Sequence, residues 1–328
     1  MAMTKRERVR AALAGEAVDR VPVAFWRHWP IDDQDAEALA ARTLEYQARY
    51  DWDFIKFTPS STYSVDGWGG KHVYDGRTIG DRSFRERAVQ RLEDWDRIEL
   101  LDVTQGAYGR TLRALQMVLE RRDPDTPVLQ TVFNPIRMAG YLAGDEALLV
   151  HLRQDPERVE RALGALTQTC ASFVRAAMGV EADGIFLSTS AASLEAMSVA
   201  EYRRFGRPGD MAVWEAARGG WFNLLHLHGQ NPMFAELADY PAQAVNWHDR
   251  TAWPSLAEGA RLFPGAVVGG VEQYEVLHFG TPEQVVAQVR DAIAQMGGRR
   301  LIAAAGCTYP LTVPEGNLLA ARRAVEKG

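Results

Sequence analysis

The chain has 328 residues, of which 47% are hydrophobic and 24% charged, with a formal net charge of −6 at pH 7. This is the composition of a folded protein with a substantial core, and the scattered Lys and Arg residues argue against a nucleic-acid-binding protein. We therefore expect a small-molecule substrate. No apolar run approaches the about 18 residues of a membrane span, and the N-terminus is polar, so we expect a cytoplasmic protein.

The predicted elements begin with a short N-terminal helix, because Thr4 and Glu7 have the spacing of a capping box and Gly15 ends the pattern. Eight apolar runs follow, at 21–26, 52–57, 127–133, 184–187, 221–227, 244–247, 266–271 and 300–305. Segments with helical periodicity separate them, including 156–179, 193–205 and 282–296. This alternation predicts the α/β class, as a single (β/α)8 TIM barrel that occupies residues 1–328 as one domain.

Residues 58–126 interrupt the alternation with a Gly-, Asp- and Tyr-rich stretch between the second and third apolar runs. We interpret this stretch as a hairpin-bearing insertion over the barrel mouth, followed by a helix near 104–122.

Functional groups of such a barrel follow the C-terminal ends of the strands. The polar residues at these ends are Arg27, His28, Thr58, Asn134, Ser188, Thr189, His226, His228, His248, Asp249, Glu272 and Cys307. The other cysteine, Cys170, lies in the apolar stripe of a predicted helix, where we expect a structural role.

His226 and His228 are two residues apart, which places both side chains on the same face of a strand. Imidazole and thiolate are zinc ligands, and Cys307 could supply the third while one position stays open. Asp249 or Glu272 could be a fourth ligand. The alternative is a pair of hydrogen-bonded histidines with an unrelated cysteine nearby.

Two further strand ends offer chemistry. His248 and Asp249 could pair as imidazole and orienting carboxylate or base, or Asp249 could simply cap the next helix. Arg27 could bind a substrate carboxylate, or form a salt bridge across the barrel mouth. Lys56 would point into the barrel if its neighbours Ile55 and Phe57 face the helices.

Several segments together resemble the uroporphyrinogen decarboxylase superfamily over nearly the whole chain. They are RERVRAALAGEAVDRVPV, FNPIRMAGYLAG, VEADGIFLSTS, LLHLHG, VNWHD and AAGCTYPLTVPEGNLLAARRAV. The resemblance implies a (β/α)8 barrel and one of two activities: decarboxylation of a porphyrinogen, or cobalamin-dependent methyl transfer to a thiol.

The decarboxylase pattern is only partly present. Arg27 matches its first arginine, and Tyr141 and Ser188 match its tyrosine and serine. The second arginine falls at Ile31, the aspartate falls near Thr58, and Cys307 stands in place of the histidine. The loss of cations and of the aspartate counts against the decarboxylation of a polyanionic tetrapyrrole.

The methyltransferase pattern is an HxC zinc motif with a further cysteine after the last strand. The chain is similar to it at His226 and Cys307, but His228 replaces the middle cysteine, which makes the site one unit more positive. The leading expectation is therefore a methyltransferase that holds zinc through His226, His228 and Cys307.

In this reading Asp249, His248 and Tyr141 act in catalysis, and Arg27, Asn134 and Ser188 bind the substrate. The chain has no DxHxxG corrinoid motif, so a corrinoid such as methylcobalamin would arrive free or on a separate corrinoid protein. The resemblance also suggests a homodimer. The alternatives are a metal-independent decarboxylase and a non-catalytic barrel that binds a corrinoid, a tetrapyrrole or another metabolite.

Overall fold

The structure is a computed structural model, and it describes residues 2–326. Its strands are β1 (Ile55–Phe57), β2 (Lys71–Val73), β3 (Ser83–Glu86), β4 (Val128–Phe133), β5 (Gly184–Ser188), β6 (Leu224–His226), β7 (Ala244–Asn246), β8 (Ala266–Val271) and β9 (Leu301–Ala305). Seven of them form one curved sheet in the order β1-β4-β5-β6-β7-β8-β9, and every pair in it is parallel. The predicted α/β barrel of the TIM type is confirmed.

The first apolar run, at 21–26, differs from a regular strand because it forms only one bridge, between Val23 and Ala303. On its other edge, the carbonyl of Val23 accepts a hydrogen bond of 2.9 Å from the backbone N–H of Asp53. The carboxylate of Asp53 accepts the N–H of Val23 at 2.7 Å, and Pro22 has no N–H to donate. The segment therefore joins β9 to the residues before β1 without forming a full ladder.

Helices surround the sheet and fill the connections between its strands. They are α1 (Lys5–Ala14), α2 (Ala36–Tyr50), α3 (Gly106–Arg121), α4 (Pro135–Ala143), α5 (Asp145–Gln154), α6 (Pro156–Gly179), α7 (Val199–Glu201), α8 (Arg207–Ala216), α9 (Phe234–Leu237), α10 (Leu256–Leu262), α11 (Pro282–Met296) and α12 (Glu315–Ala324). The Thr4 and Glu7 capping box is present, and the buried Cys170 lies in α6 as predicted. None of the helices in residues 2–326 has the length and apolarity needed to cross a membrane.

Two details of the prediction can be compared directly. The insertion contains the expected hairpin, in which β2 and β3 pair antiparallel, and α3 follows it. The predicted helix at 193–205 starts later than expected, because Ser193 forms a bridge with Pro232 and Ser198 caps α7. A π-helical turn over Tyr202–Gly206 then connects α7 to α8.

Candidate functional site

The three predicted metal ligands converge at the C-terminal ends of β6 and β9. β6 ends at His226, His228 follows two residues later, and Cys307 lies two residues beyond the end of β9. The nitrogen and sulfur atoms that these side chains offer lie within 4.8 Å of one another. In residues 2–326 this is the one such group of three or more His, Cys, Asp or Glu side chains.

The distances within this cluster fit a zinc ion. Sγ of Cys307 lies 3.6 Å from Nε2 of His226 and 3.6 Å from Nδ1 of His228. Zinc ligands at about 2.3 Å for sulfur and about 2.0–2.1 Å for nitrogen, at a tetrahedral angle, are separated by about 3.6 Å. The two distances from Cys307 therefore match a zinc site, in which a fourth position would remain for substrate or water, and the two imidazole nitrogens lie within 4.8 Å of each other.

Asn246, the last residue of β7, fixes the orientation of His226. Its Oδ1 accepts a hydrogen bond from Nδ1 of His226 at 2.6 Å, and its Nδ2 donates to the carbonyl oxygens of Val268 and Ala305 at 2.7 and 3.1 Å. Because these carbonyls only accept, the amide has one orientation, and Nδ1 of His226 carries the proton. The lone pair on Nε2 is left facing Cys307, as in metal-binding histidines.

His248 lies against the same cluster. Its Nε2 is 3.2 Å from Nδ1 of His228, and its Nδ1 is 2.8 Å from Nε2 of Gln273. When Gln273 donates to Nδ1, the proton of neutral His248 lies on Nε2 and points at His228. A predicted catalytic residue therefore contacts a predicted metal ligand.

The cluster also changes the acidity of its thiol. Burial raises the pKa of Cys307, but His226 and His228 lower it by more, and the pKa lies well below its ordinary value. Burial lowers the pKa of His226, whereas at His228 burial is outweighed by the charge and the hydrogen bond of Cys307 together, and the pKa is raised. The cluster therefore favours the thiolate form of Cys307, which is the form that binds metals and attacks electrophiles.

A cavity of about 300 Å³ contains this cluster in its wall. Other side chains that line it and are used below are Trp26, His28, Lys56, Arg77, Arg137, Tyr141, Phe186 and Ser188. Burial lowers the pKa of His28 to about 3, so this histidine is neutral. The cavity therefore combines an acidic thiol, imidazoles, three basic side chains and aromatic rings.

Two predicted substrate or catalytic residues line this cavity. Ser188 is the last residue of β5, and Tyr141 lies in α4. The Tyr141 ring lies 5.5 Å from the ring of Phe133 and 5.7 Å from that of Phe84, and the Arg137 guanidinium lies 4.1 Å above it. These contacts hold Tyr141 in the cavity wall.

Arg27 and Asn134 do not belong to the cavity lining. Arg27 contacts the carbonyl oxygens of His28 and Leu311 at 3.4 and 3.3 Å and lies 4.8 Å over the ring of Trp29. Its neighbours Trp26 and His28 line the cavity instead, because side chains alternate along an extended segment.

Asn134 caps α4 through its Oδ1, and its Nδ2 donates to the buried carboxylate of Asp210 at 2.8 Å. Asp249 lies outside the lining as well. Its Oδ1 accepts the N–H of Gly270 at 3.0 Å, and burial raises its pKa to about 6. The contacts of both residues are those of structural groups, so our proposal gives neither of them a contact with substrate.

Three basic cavity residues were not among the predicted site residues. Lys56 lies in β1, and its inward direction depends on which face of that strand meets the barrel interior. Arg137 lies one helical turn before Tyr141, so the α4 pattern could have indicated it. Arg77 lies in the insertion, where the sequence carries no pattern that would place it. Burial lowers the pKa of Lys56 to about 7.

Residues 4–328 match the family described as uroporphyrinogen decarboxylase (URO-D). The chain belongs to the uroporphyrinogen decarboxylase family. It is 24% identical to the methylated-thiol–coenzyme M methyltransferase of Methanosarcina mazei, over 99% of this chain and 90% of that protein. It is 22% identical to a methylcobamide:CoM methyltransferase of the same organism, over 96% of this chain and 95% of that protein.

A solved structure, a methyltransferase from Methanosarcina mazei, superimposes with a TM-score of 0.87 at 20% identity and covers 98% of each chain. This likeness shows that the two chains share a fold. Within the uroporphyrinogen decarboxylase family, the chain combines a wall built from Tyr141 and Ser188 with the cluster of His226, His228 and Cys307.

Proposed function

We propose that this protein transfers a methyl group to the sulfur of a small thiol and uses zinc held by His226, His228 and Cys307. The chain is a methyltransferase of the uroporphyrinogen decarboxylase family, as are the relatives described above. The observation that carries the proposal is the pair of 3.6 Å separations between Sγ of Cys307 and the two imidazole nitrogens.

Each residue of the cluster has a defined task in this proposal. Asn246 holds the lone pair of His226 toward the site, and the two imidazoles keep Cys307 deprotonated. When bound, zinc would supply a Lewis acid that lowers the pKa of a substrate thiol. His248 positions His228, and the proton that the thiol loses leaves to solvent, because Nδ1 of His248 accepts from Gln273 and its Nε2 carries a proton.

The side chains of the cavity wall position the acceptor and exclude water from it. Tyr141 and Phe186 supply aromatic surface, and Ser188 offers a hydroxyl for a hydrogen bond. His28 is neutral and adds no competing charge to this wall. Exclusion of water strengthens the electrostatic interactions inside such a cavity.

His228 sets this site apart from an HxC site because it supplies a neutral ligand in place of a thiolate. The ligand set brings one negative charge, from Cys307, rather than two. A bound thiol is therefore more acidic and its thiolate less nucleophilic than at a site with two thiolates. Compared with a site that has two thiolate ligands, we expect this one to bind its acceptor as the thiolate at lower pH. We also expect it to depend more strongly on a reactive methyl donor.

A methylated corrinoid is the donor that we propose, because two of the relatives described above carry methyl-group chemistry in their names and one of them names methylcobamide. The chain lacks the DxHxxG motif of corrinoid-binding domains. The donor would then reach the cavity free in solution or on a separate corrinoid protein.

Zinc content and methyl transfer test the proposal together. We expect about one zinc per chain in the wild type, loss of zinc in Cys307→Ala and retention in the matched control Cys170→Ala. Zinc-loaded wild type should transfer methyl from methylcobalamin to 2-mercaptoethanesulfonate, followed by the change in the corrinoid spectrum. Wild type that stays metal-free in zinc-replete medium, or that transfers no methyl to any thiol, would overturn the proposal.

A further inference from the structure

Lys56 is a buried basic residue that has no acidic partner in the part of the chain that the structure describes. It is 8% exposed, and no carboxylate lies within 4.0 Å of its Nζ in residues 2–326. Its one polar contact is with Oγ1 of Thr58 at 3.4 Å. Lysine is almost never buried without a partner, because removing an ammonium group from water is costly.

The other two basic residues of the cavity already have acidic partners. Arg77 lies 2.9 Å from Asp81, and Arg137 lies 2.7 Å from Asp145. Their charges are therefore balanced by the protein itself. Lys56 is the basic cavity residue whose charge the side chains around it leave without a salt bridge.

The ring of Phe186 contacts both Lys56 and the cluster. Nζ of Lys56 lies 4.7 Å from the centroid of the Phe186 ring, and that ring stacks on His226 at 5.1 Å. The ring face attracts the ammonium group but cannot balance its charge. Lys56 and the cluster therefore flank the same aromatic surface inside one cavity.

Two other donors on the cavity residues have no partner within the protein. Nε1 of Trp26 and Nε of Arg137 are buried and make no hydrogen bond to any residue in the described part of the chain. Buried donors are normally satisfied, so unsatisfied ones among the lining residues are consistent with a polar ligand.

We propose that Lys56 binds the anionic group of the methyl acceptor and selects a short thiol that carries a sulfonate or carboxylate over a neutral thiol. This inference rests on the proposed thiol methylation and identifies the residue that determines its acceptor specificity. The aromatic surface between Lys56 and the cluster is the place for the carbon atoms that join the thiol to the anionic group.

Binding to zinc-loaded protein, measured by isothermal titration calorimetry, tests the role of Lys56 without turnover. The probes are 2-mercaptoethanesulfonate, 3-mercaptopropionate and the neutral 2-mercaptoethanol. We expect the wild type to bind at least one anionic thiol about 10- to 100-fold more tightly than the neutral thiol, and the tighter of the two anions identifies the acidic group. Lys56→Met should abolish that preference, and Lys56→Arg should retain part of it.

Lys71→Met is the matched control, because Lys71 lies exposed in β2 with Glu86 as its partner. It removes the same charge outside the cavity and should leave the preference unchanged. Zinc content and the circular dichroism spectrum are measured for every variant, and Lys56→Gln replaces Lys56→Met if the latter does not fold.

The outcomes separate this inference from the proposed function. Equal preference in Lys56→Met and wild type would overturn the role of Lys56 even if methyl transfer proceeds. So would a Lys56→Met variant with altered zinc affinity and unaltered preference, since Lys56 would then serve as a counter-charge to Cys307. A preference that depends on Lys56 in a protein that transfers no methyl group would support the anion site and overturn the proposed reaction.

Discussion

Nδ1 of His226 donates a hydrogen bond of 2.6 Å to Oδ1 of Asn246, and the carbonyl oxygens of Val268 in β8 and Ala305 in β9 hold that amide in place. Through this hydrogen bond the β-sheet fixes the tautomer of His226, one of the candidate metal ligands. It gives Asn246 a positioning role in the proposed centre, because its side chain hydrogen-bonds to His226 and to backbone carbonyls.

Replacing Asn246 by Ala should weaken zinc affinity by about 10- to 100-fold, because His226 loses the partner that fixes its proton on Nδ1. Competition with a chromophoric chelator measures this affinity directly. Gln116→Ala, on the exposed face of α3, is the control and should retain wild-type affinity. Unchanged zinc affinity in Asn246→Ala would show that the sheet does not set the tautomer.

Cys307 of the zinc-free protein should react with iodoacetamide at pH 6–7, whereas Cys170 should stay unmodified. The thiolate is the reactive form, and a pKa lowered below the ordinary range, about 8.5 for a free thiol, keeps it populated as pH falls. Burial raises the pKa of Cys170 and leaves that side chain a thiol. Peptide mass spectrometry after a pH series measures both rates.

The double variant His226→Ala, His228→Ala should move the pH midpoint of Cys307 alkylation upward, since the two imidazoles provide the lowering. A midpoint that stays in place would assign the acidity of Cys307 to another group.

Arg27→Met should leave the binding of anionic thiols within about twofold of the wild type, because its guanidinium contacts backbone carbonyls outside the cavity. Arg27 is half-buried, and a charge held outside the cavity by backbone carbonyls contributes little to binding inside it. Calorimetric titration with 2-mercaptoethanesulfonate checks the prediction. A tenfold loss of affinity would contradict this prediction and support the substrate-binding role that the sequence suggested for Arg27.

Asp53→Ala should lower the free energy of unfolding by about 3–5 kcal/mol, because it leaves two guanidinium groups without their buried partner. Asp53 is fully buried and accepts from Arg8 at 2.7 Å and Arg20 at 2.6 Å. Urea denaturation followed by tryptophan fluorescence measures the loss. The exposed Glu120→Ala is the control, and a loss in Asp53→Ala no larger than in the control would contradict the prediction.

The fold was predictable because buried parallel strands have a simple pattern. β8 is buried along its whole length and appears in the sequence as the apolar run 266–271, with the same bounds. The run at 21–26 is equally apolar, yet the side chain of Asp53, distant in the sequence, takes the hydrogen bond that a regular ladder would use. Such a long-range polar contact leaves no local pattern.

The candidate site was predictable where a strand end fixed the position of a side chain. His226, His228 and Cys307 follow β6 and β9 directly, so their convergence follows from the barrel itself. Arg27 and His28 lie at the end of a segment with one bridge, and the sequence does not show which of them faces inward. Asp249 is a polar residue at a strand end whose partner, the N–H of Gly270, is a backbone group.

Trp26, the last residue of the loosely paired segment 21–26, and His28, two residues after it, both line the cavity. The cluster follows β6 and β9: β6 pairs along regular parallel ladders on both edges, whereas β9 pairs regularly with β8 and meets Val23 in a single bridge on its other edge. The proposed metal ligands thus follow regular strands, whereas Trp26 and His28 belong to or follow a segment that lacks a full ladder. Substitutions at Trp26 or His28 can therefore reshape the cavity without replacing a residue of the cluster.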